Sequence, residues 1–267
     1  MQRWFELHPH RATEKGYRRA DSLAPLYEKT QVAQFVAWAN EVQEELGTYG
    51  HGDRHVLLAT HLAGALRTFE TNGEASTNPA FYLQAGLDGL EGLQLRYPEP
   101  PWTLLKNRLE AFPELLSNGQ AKLLLPQTPG VLLAQEMAEE SLEGLREQYD
   151  HNEVPRETRE SAWNCFRALD RYREWLEHVE SRDFQPMGEE RLDEMLRREH
   201  LLERNSKQWD VLAREALDSL PHVGKQNPSS TRSALTRDEA WQFFVDEIHR
   251  VEQFVRESDI VTVPTGE

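Results

Sequence analysis

Apolar residues recur every three to four positions along most of the chain, which is the period of an amphipathic helix. The clearest run follows Pro155 and predicts the longest helix. The stripe that this helix would bury comprises Ala162, Phe166, Leu169, Tyr172, Leu176 and Val179, with Cys165 beside it. An earlier stripe that ends at Gly47 comprises Val32, Phe35, Val36, Ala39, Val42 and Leu46. The next helix would open at residues 51–53 and bury Leu58, Leu62, Ala65 and Phe69.

Helix boundaries carry recognisable capping signals. Residues 78–79 (Asn-Pro) and 128–129 (Thr-Pro) each pair a capping side chain with a proline that suits the first helical turn. Residues 205–208 and 236–239 resemble capping boxes. Pro113 predicts a bend between two helical pieces, because proline removes a helical hydrogen bond. Together these patterns predict an all-α chain, a multi-helix array of about nine or ten amphipathic helices joined by short connections.

The stretch from Asp183 to His200 has the most distinctive local pattern in the chain. It combines a short extended segment, a Pro-x-Gly hinge at Gly188 and a helix that opens with Glu189 and Glu190. Carboxylates are favourable at the start of a helix, because the first N–H groups lack partners and the macrodipole is positive there.

The last part of the chain differs from the rest. Residues 221–235 form a polar stretch that predicts a linker before the last helix, which would bury Ala240, Phe244, Ile248, Val251 and Val255. Alternation with a period of two occurs only at residues 260–263. We interpret residues 1–267 as a single helical domain.

The chain carries a formal charge of −16, which disfavours binding to phosphate backbones and anionic lipid. No nucleic acid and no membrane is therefore expected as a partner, and the charge also keeps a helical protein soluble. The start lacks the long apolar run of a secretory signal, so the chain as given is expected to be cytoplasmic, while a removed leader stays open. Cys165, the single cysteine, is expected to be buried and inert.

Motifs for catalysis or metal binding are absent from the sequence. His51 and His55 are four residues apart but lack a third ligand nearby, and Asp246 with His249 gives one imperfect copy of a di-iron motif. Glu174 with His178 is typical of a surface pair on a helix. The aromatic residues are expected in the core: Trp163, Trp209, Trp241, Phe243 and Phe244. The motifs therefore predict no catalytic residue and no metal ligand in this chain.

Four phrases, in order, resemble a bacterial family catalogued as domain of unknown function 885. They are residues 8–16 (His-Pro-His-Arg-Ala-Thr-Glu-Lys-Gly), 107–116 (Asn-Arg-Leu-Glu-Ala-Phe-Pro-Glu-Leu-Leu), 184–196 around Gly-Glu-Glu, and 254–264. The family is helical and is grouped with metallopeptidases of the His-Glu-x-x-His type. Its metal signature, which resembles His-Glu-x-x-Pro-Gly-His-His, has no match in this chain.

The resemblance implies that the chain corresponds to the N-terminal half of a zinc-dependent peptidase or related hydrolase. This half would be inactive alone, would hold no cofactor, and would form one wall of a substrate cleft, with zinc and the C-terminal half of the same protein completing the enzyme. Gly188, Glu189, Glu190 and Arg191 are the expected substrate-cleft residues: glycine allows close approach of backbone, and the charged groups suit peptide termini. The simpler interpretation is that Gly188 only permits a tight turn.

A second interpretation belongs to a different class. In it the chain is a stand-alone acidic helical scaffold that binds a protein or peptide partner, and an acidic concave surface attracts a basic partner. A stand-alone helical enzyme with a site assembled from scattered Glu and His residues is a third interpretation.

Overall fold

The computed structural model describes residues 2–48, 53–219 and 250. Within these ranges the chain is helical and contains no strand, which confirms the all-α prediction. One isolated parallel bridge joins Gln127 and Arg182. The elements are α1 (Gln2–Leu7), α2 (Pro9–Glu14), η1 (Arg18–Ala20, a 3-10 turn), α3 (Lys29–Thr48), α4 (Asp53–Thr68), α5 (Glu74–Thr77), α6 (Ala80–Arg96), α7 (Trp102–Lys122), α8 (Thr128–Tyr149), α9 (Arg156–His178), α10 (Glu189–Arg198) and α11 (Ser206–Ser219).

The chain divides into two compact units, Met1–Asp210 and Val211–Glu267. All interactions discussed below lie within the first unit. The predicted linker at 221–235, the helix after it, and residues 260–263 fall outside the described residues, as do His51, Trp241, Phe243, Phe244, Asp246 and His249. The single-domain interpretation therefore stays a prediction. None of the helices described is both long and apolar enough to cross a membrane.

The core of the first unit lies among the four consecutive helices α6 to α9, with α9 packed against both α7 and α8. The predicted stripe of α9 is confirmed, since its residues are buried apart from the partly buried Val179. Each large apolar side chain buried in this way stabilises the fold by about 1.5–3 kcal/mol. Helices α6 and α7 approach closely at Gly86, where an added Cβ would lie 2.5 Å from Cε2 of Phe112.

Pro113 does not divide its helix, contrary to the sequence prediction. Helix α7 runs without interruption from Trp102 to Lys122 with Pro113 inside it. Its neighbours Phe112 and Leu115 are buried in the core. Burial of the apolar face on both sides of the proline offsets the cost of one lost backbone hydrogen bond.

Two of the four predicted capping signals are confirmed, one is wrong, and the capping box at residues 236–239 lies outside the described residues. The Asn78 side chain accepts a hydrogen bond from the backbone N–H of Ala80 at 3.0 Å, at the start of α6. Asn205 and Gln208 form the reciprocal pair of a capping box, with both hydrogen bonds at 3.0 Å. Thr128 begins α8, but its hydroxyl donates to the carbonyl of Arg182 instead of capping the helix.

Three residues expected in the core are exposed. Trp163 is 50% exposed and Leu58 is 39% exposed. Trp163 follows Ala162 on α9, so it lies about 100° around the helix from a stripe that is already filled. Trp209 is 38% exposed, and its ring lies beneath the guanidinium group of Arg204 at 5.7 Å.

A buried polar network attaches the N-terminal helices to α6 and α7. Arg108 is 2% exposed and donates to the Thr13 hydroxyl at 2.6 Å and to the carbonyl oxygens of Ala20, Leu23 and Gly89. The Thr13 hydroxyl in turn donates to the buried Asp21 at 2.8 Å. Burial lowers the pKa of Arg108 to about 10, so the group stays charged at neutral pH.

Candidate functional site

The four predicted cleft residues, Gly188 to Arg191, line a cleft of about 770 Å³. Helix α10 forms one side of this cleft, which we call the main cleft, and helices α3 and α4 form the others. Volumes of about 300–1,000 Å³ are typical of ligand pockets. The structure thus brings three segments together that are far apart in the chain, and it places the predicted residues at an open concave surface.

The backbone conformation at residue 188 favours glycine. Its φ of 84° and ψ of 154° lie in a region that is essentially reserved for glycine. No heavy atom lies within 4 Å of the position that a Cβ would take, so no close neighbour in this structure requires a glycine. The expectation that Gly188 allows a peptide backbone to approach stays a prediction.

Glu189 and Glu190 lie in the first turn of α10, where the helix dipole favours negatively charged side chains. The Glu189 carboxylate pairs with Nζ of Lys207 at 2.6 Å, and this contact raises the pKa of Lys207. Further along the helix, Asp193 accepts a hydrogen bond from the backbone N–H of Ser206 at 2.6 Å, which lowers the pKa of Asp193. These contacts connect α10 to the start of α11.

Helix α10 is attached to the rest of the cleft mainly by polar contacts, and it contains no fully buried residue. Arg191 pairs with Glu70, just after α4. Arg67 on α4 pairs with Glu199 at 2.6 Å and donates to Sδ of Met195 at 3.0 Å. The arginine side chains are therefore held in defined positions at the edge of the cleft.

The lining of the main cleft combines an apolar set with a charged set. The apolar residues are Val36, Ala63, Leu66, Phe69, Met187 and Met195. Five carboxylates and three guanidinium groups also line it: Glu70, Glu189, Glu190, Glu194, Glu199, Arg67, Arg191 and Arg198. Such a surface can hold an amphipathic chain that carries both a positive and a negative group.

A second cavity of about 290 Å³ adjoins the main cleft and shares Arg67, Met187 and Arg191 with it. We call it the arginine pocket, because Arg182 also lines it. The extended segment before α10 supplies Phe184, and α5 supplies the far side with Glu74.

Among the described residues, no histidine or cysteine lines the main cleft. His8 and His10 are 5% and 3% exposed, and burial lowers their pKa values to about 2 and about 3. Cys165 is fully buried, and burial raises the pKa of its thiol, as expected for an inert thiol. His178 hydrogen bonds the carbonyl of Glu174 on its own helix.

Within the described ranges, no three His, Cys, Asp or Glu side chains are grouped so that they could hold a metal ion. The expectation that zinc belongs to a missing half stays a prediction. Sequence reasoning identified the α10 residues but missed Arg67, Glu70 and Arg182. Their role depends on contacts across more than one hundred residues of sequence, which no local pattern records.

Comparisons with known proteins identify no relative: no protein-family model, no curated protein and no solved structure matches this chain. The resemblance to the domain of unknown function 885 family therefore stays a prediction.

Proposed function

We propose that this chain binds short peptides in the main cleft, as one wall of a peptide-binding site. The observation that carries the proposal is the assembly of residues 188–191 with α3 and α4 around a cleft of about 770 Å³. An apolar lining with charged groups around it matches an extended peptide, which presents apolar side chains and charged ends. Arg67 and Arg191, each held by a carboxylate, are preorganised to contact such a ligand.

The proposal accounts for the main cleft without assigning chemistry to this chain. If the family resemblance holds, the hydrolytic step and its zinc belong to a second half that closes the cleft from the other side. The described residues do not group three metal ligands, and the proposal routes no step through a metal. The expected activity of the chain alone is binding.

Ala63 provides the test, because it lines the main cleft on α4 and is only half-buried. Fluorescently labelled octapeptides of varied sequence would be titrated with the wild-type chain and followed by anisotropy. A tryptophan at this position fills part of the cleft, so Ala63→Trp is expected to weaken binding about tenfold or more. Ala63→Ser keeps the volume nearly unchanged and is expected to bind like the wild type.

Two outcomes would contradict the proposal: no peptide of the set binds, or Ala63→Trp binds as tightly as the wild type while its circular dichroism spectrum is unchanged. The acidic-scaffold alternative gives a different result in the same experiment. It expects affinity to follow the positive charge of the peptide, to fall steeply with added salt, and to ignore the substitution at Ala63.

A further inference from the structure

We infer that the groove between α3 and α4 continues beyond the main cleft into an apolar subsite, and that this subsite receives one large apolar side chain of the bound peptide. Leu201 is the residue that determines this preference. The assignment rests on the proposed function and adds a specificity site to it, because it names the class of side chain that a tightly binding peptide carries.

A cavity of about 620 Å³ adjoins the main cleft, and we call it the leucine pocket because Leu201 lines it. The two cavities share lining residues from three segments, namely Asn40 and Gln43 on α3, Ala63 on α4 and Arg198 at the end of α10. The leucine pocket is therefore continuous with the main cleft, and a ligand of the one can extend into the other.

The length of the combined groove favours a peptide that occupies both cavities. Along α4 the lining extends from Val56 in the leucine pocket to Arg67 in the main cleft. At about 1.5 Å per helical residue, this distance is about 16 Å, which corresponds to about five residues of an extended peptide. On this helix the main cleft alone takes up about 6 Å, from Ala63 to Arg67. An extended peptide that lies along α4 and fills the main cleft therefore reaches the leucine pocket.

One side of the leucine pocket is apolar. Val56, Ala59 and Ala63 lie three and four positions apart on α4, and this spacing places them on one face of the helix. The two alanines are only partly buried, so their methyl groups remain accessible. Thr60 also lines the pocket, but its hydroxyl already donates to the carbonyl of Val56 at 2.8 Å. Burial of an apolar ligand group against this side is favourable and leaves no hydrogen bond unmade.

The other side of the leucine pocket is polar, and it carries little charge that could select a ligand. The Arg198 guanidinium pairs at 3.3 Å with Glu194 on its own helix, and Glu44 is exposed to water. Asn40 and Gln43 carry amide groups, which can hydrogen bond the N–H and C=O groups of any peptide backbone. Selection by the leucine pocket therefore depends on its apolar side.

Leu201 combines a costly backbone conformation with an incompletely buried side chain. Among the described residues, Tyr27 and Leu201 are the non-glycine residues with a positive φ, of 49° and 54°. This left-handed region is unfavourable for L-residues that carry a Cβ. Tyr27 is 1% exposed and its hydroxyl hydrogen bonds Nδ1 of His8 at 2.9 Å, so packing in the core offsets the cost. Leu201 is 50% exposed and gains no such burial.

A bound apolar side chain would supply the burial that Leu201 lacks. Glycine is the usual residue in a left-handed position after a helix, since it adopts this conformation without steric cost. A leucine in this position, beside a cavity, is unfavourable for the fold alone and favourable for a ligand that packs against it. This conflict between stability and ligand contact identifies Leu201 as a specificity residue.

The test is a leucine and serine scan of an octapeptide that binds the wild type. At each position, the dissociation constants of the leucine form and the serine form are compared by fluorescence anisotropy. We expect a position at which leucine is preferred about tenfold or more, because its side chain enters the leucine pocket. Since the main cleft also has an apolar lining, two variants identify which preference belongs to the leucine pocket.

Ala59→Phe fills the leucine pocket from α4 without altering a residue that lines the main cleft. Leu201→Gly removes the apolar side chain, and it should not lower the melting temperature, because glycine adopts a φ of 54° without strain. In both variants the leucine preference at the same position should fall to about threefold or less. Leu124→Gly is the matched control: Leu124 is 85% exposed in the connection between α7 and α8, and its replacement should keep the full preference.

The outcomes separate this inference from the proposed function. If no octapeptide binds the wild type, the proposed function fails and the leucine pocket fails with it. If peptides bind but no position prefers leucine, or if every leucine preference survives in Ala59→Phe or in Leu201→Gly, peptide binding stands and the leucine pocket is overturned. An equal loss of preference in Leu124→Gly would also overturn it. Loss at one shared position in the two pocket variants alone supports the assignment.

Discussion

Arg108 donates a hydrogen bond from Nη2 to the hydroxyl of Thr13 at 2.6 Å, across 95 positions of sequence. The two residues belong to two of the four phrases on which the family resemblance rests. In this structure the contact is part of a buried network that fastens α2 and the turn after it to α6 and α7. These two phrases thus have a structural explanation that is independent of any catalytic role.

Replacement of Arg108 by methionine should cost about 3–5 kcal/mol of unfolding free energy. The substitution removes one positive charge near the buried Asp21, which keeps only the longer ion pair with Arg96 at 3.9 Å. It also removes the arginine donor from three backbone carbonyl groups. Chemical denaturation measures the loss. Arg167→Met, at an exposed position of α9, is the control and should change stability by less than about 0.5 kcal/mol. A similar small effect for both variants would show that the network does not stabilise the fold.

Acid should destabilise the protein through its two buried histidines. Burial, with the nearby charges of Arg11 and Arg108, lowers the pKa of His10 from 6.5 to about 3 in the folded state. The unfolded state therefore binds more protons than the folded state between these values, and the free energy of unfolding falls as the pH drops below about 6.5. At about pH 5 each buried histidine should account for a loss of about 2 kcal/mol.

The variant His10→Gln removes one of these groups, so its stability should fall by about 2 kcal/mol less than that of the wild type between about pH 7.5 and about pH 5. Denaturant titrations at the two pH values measure the difference. His151→Gln removes an exposed histidine and should retain the wild-type dependence. Identical pH dependence in His10→Gln and the wild type would contradict the burial of a neutral imidazole.

Gly188→Ala should loosen α10 without unfolding the core. A side chain at φ 84° and ψ 154° costs about 1–3 kcal/mol, and α10 contributes no fully buried residue that could absorb this cost. Amide hydrogen exchange should accelerate in α10 while the exchange of α9 stays unchanged. Gln185→Ala, in the extended segment before Gly188, serves as the control. Unchanged exchange in α10 would show that the backbone at this position is not restricted to glycine.

Two glycines inside helices should respond in opposite directions to alanine. Gly144 lies in α8 with no heavy atom within 4 Å of its Cβ position, so Gly144→Ala should stabilise the protein by about 1 kcal/mol. Gly86→Ala would place its Cβ 2.5 Å from the Phe112 ring and should be destabilising. Thermal unfolding distinguishes the two. Equal effects would contradict the close packing of α6 on α7.

The sequence predicted the elements better than their assembly. The stripe of α9 and the capping box at Asn205 follow from local period and local hydrogen bonds, and both are confirmed. Pro113 was wrongly predicted to divide a helix, because burial on both sides outweighs a local penalty. The three short helices α1, α2 and α5 were missed, since four to six residues are too few to show a period.

The cleft was only partly predictable, because part of it depends on local sequence and part on contacts between distant segments. The helix-start chemistry of Gly188, Glu189 and Glu190 is local, and it directed attention to α10. Arg67 and Arg182 each contact a partner that lies more than one hundred positions away in the sequence. One sequence alone carries no signal for such pairs.

The location of a bound peptide tests the proposed function most directly. An octapeptide that carries a photoreactive benzophenone would be irradiated with the wild-type chain, and the crosslinked residues would be identified by mass spectrometry. We expect crosslinks at residues 187–191 and on the facing parts of α3 and α4, and we expect Ala63→Trp to abolish them. Crosslinks that fall mainly on α8 and α9, or that persist unchanged in Ala63→Trp, would contradict a peptide site in the main cleft.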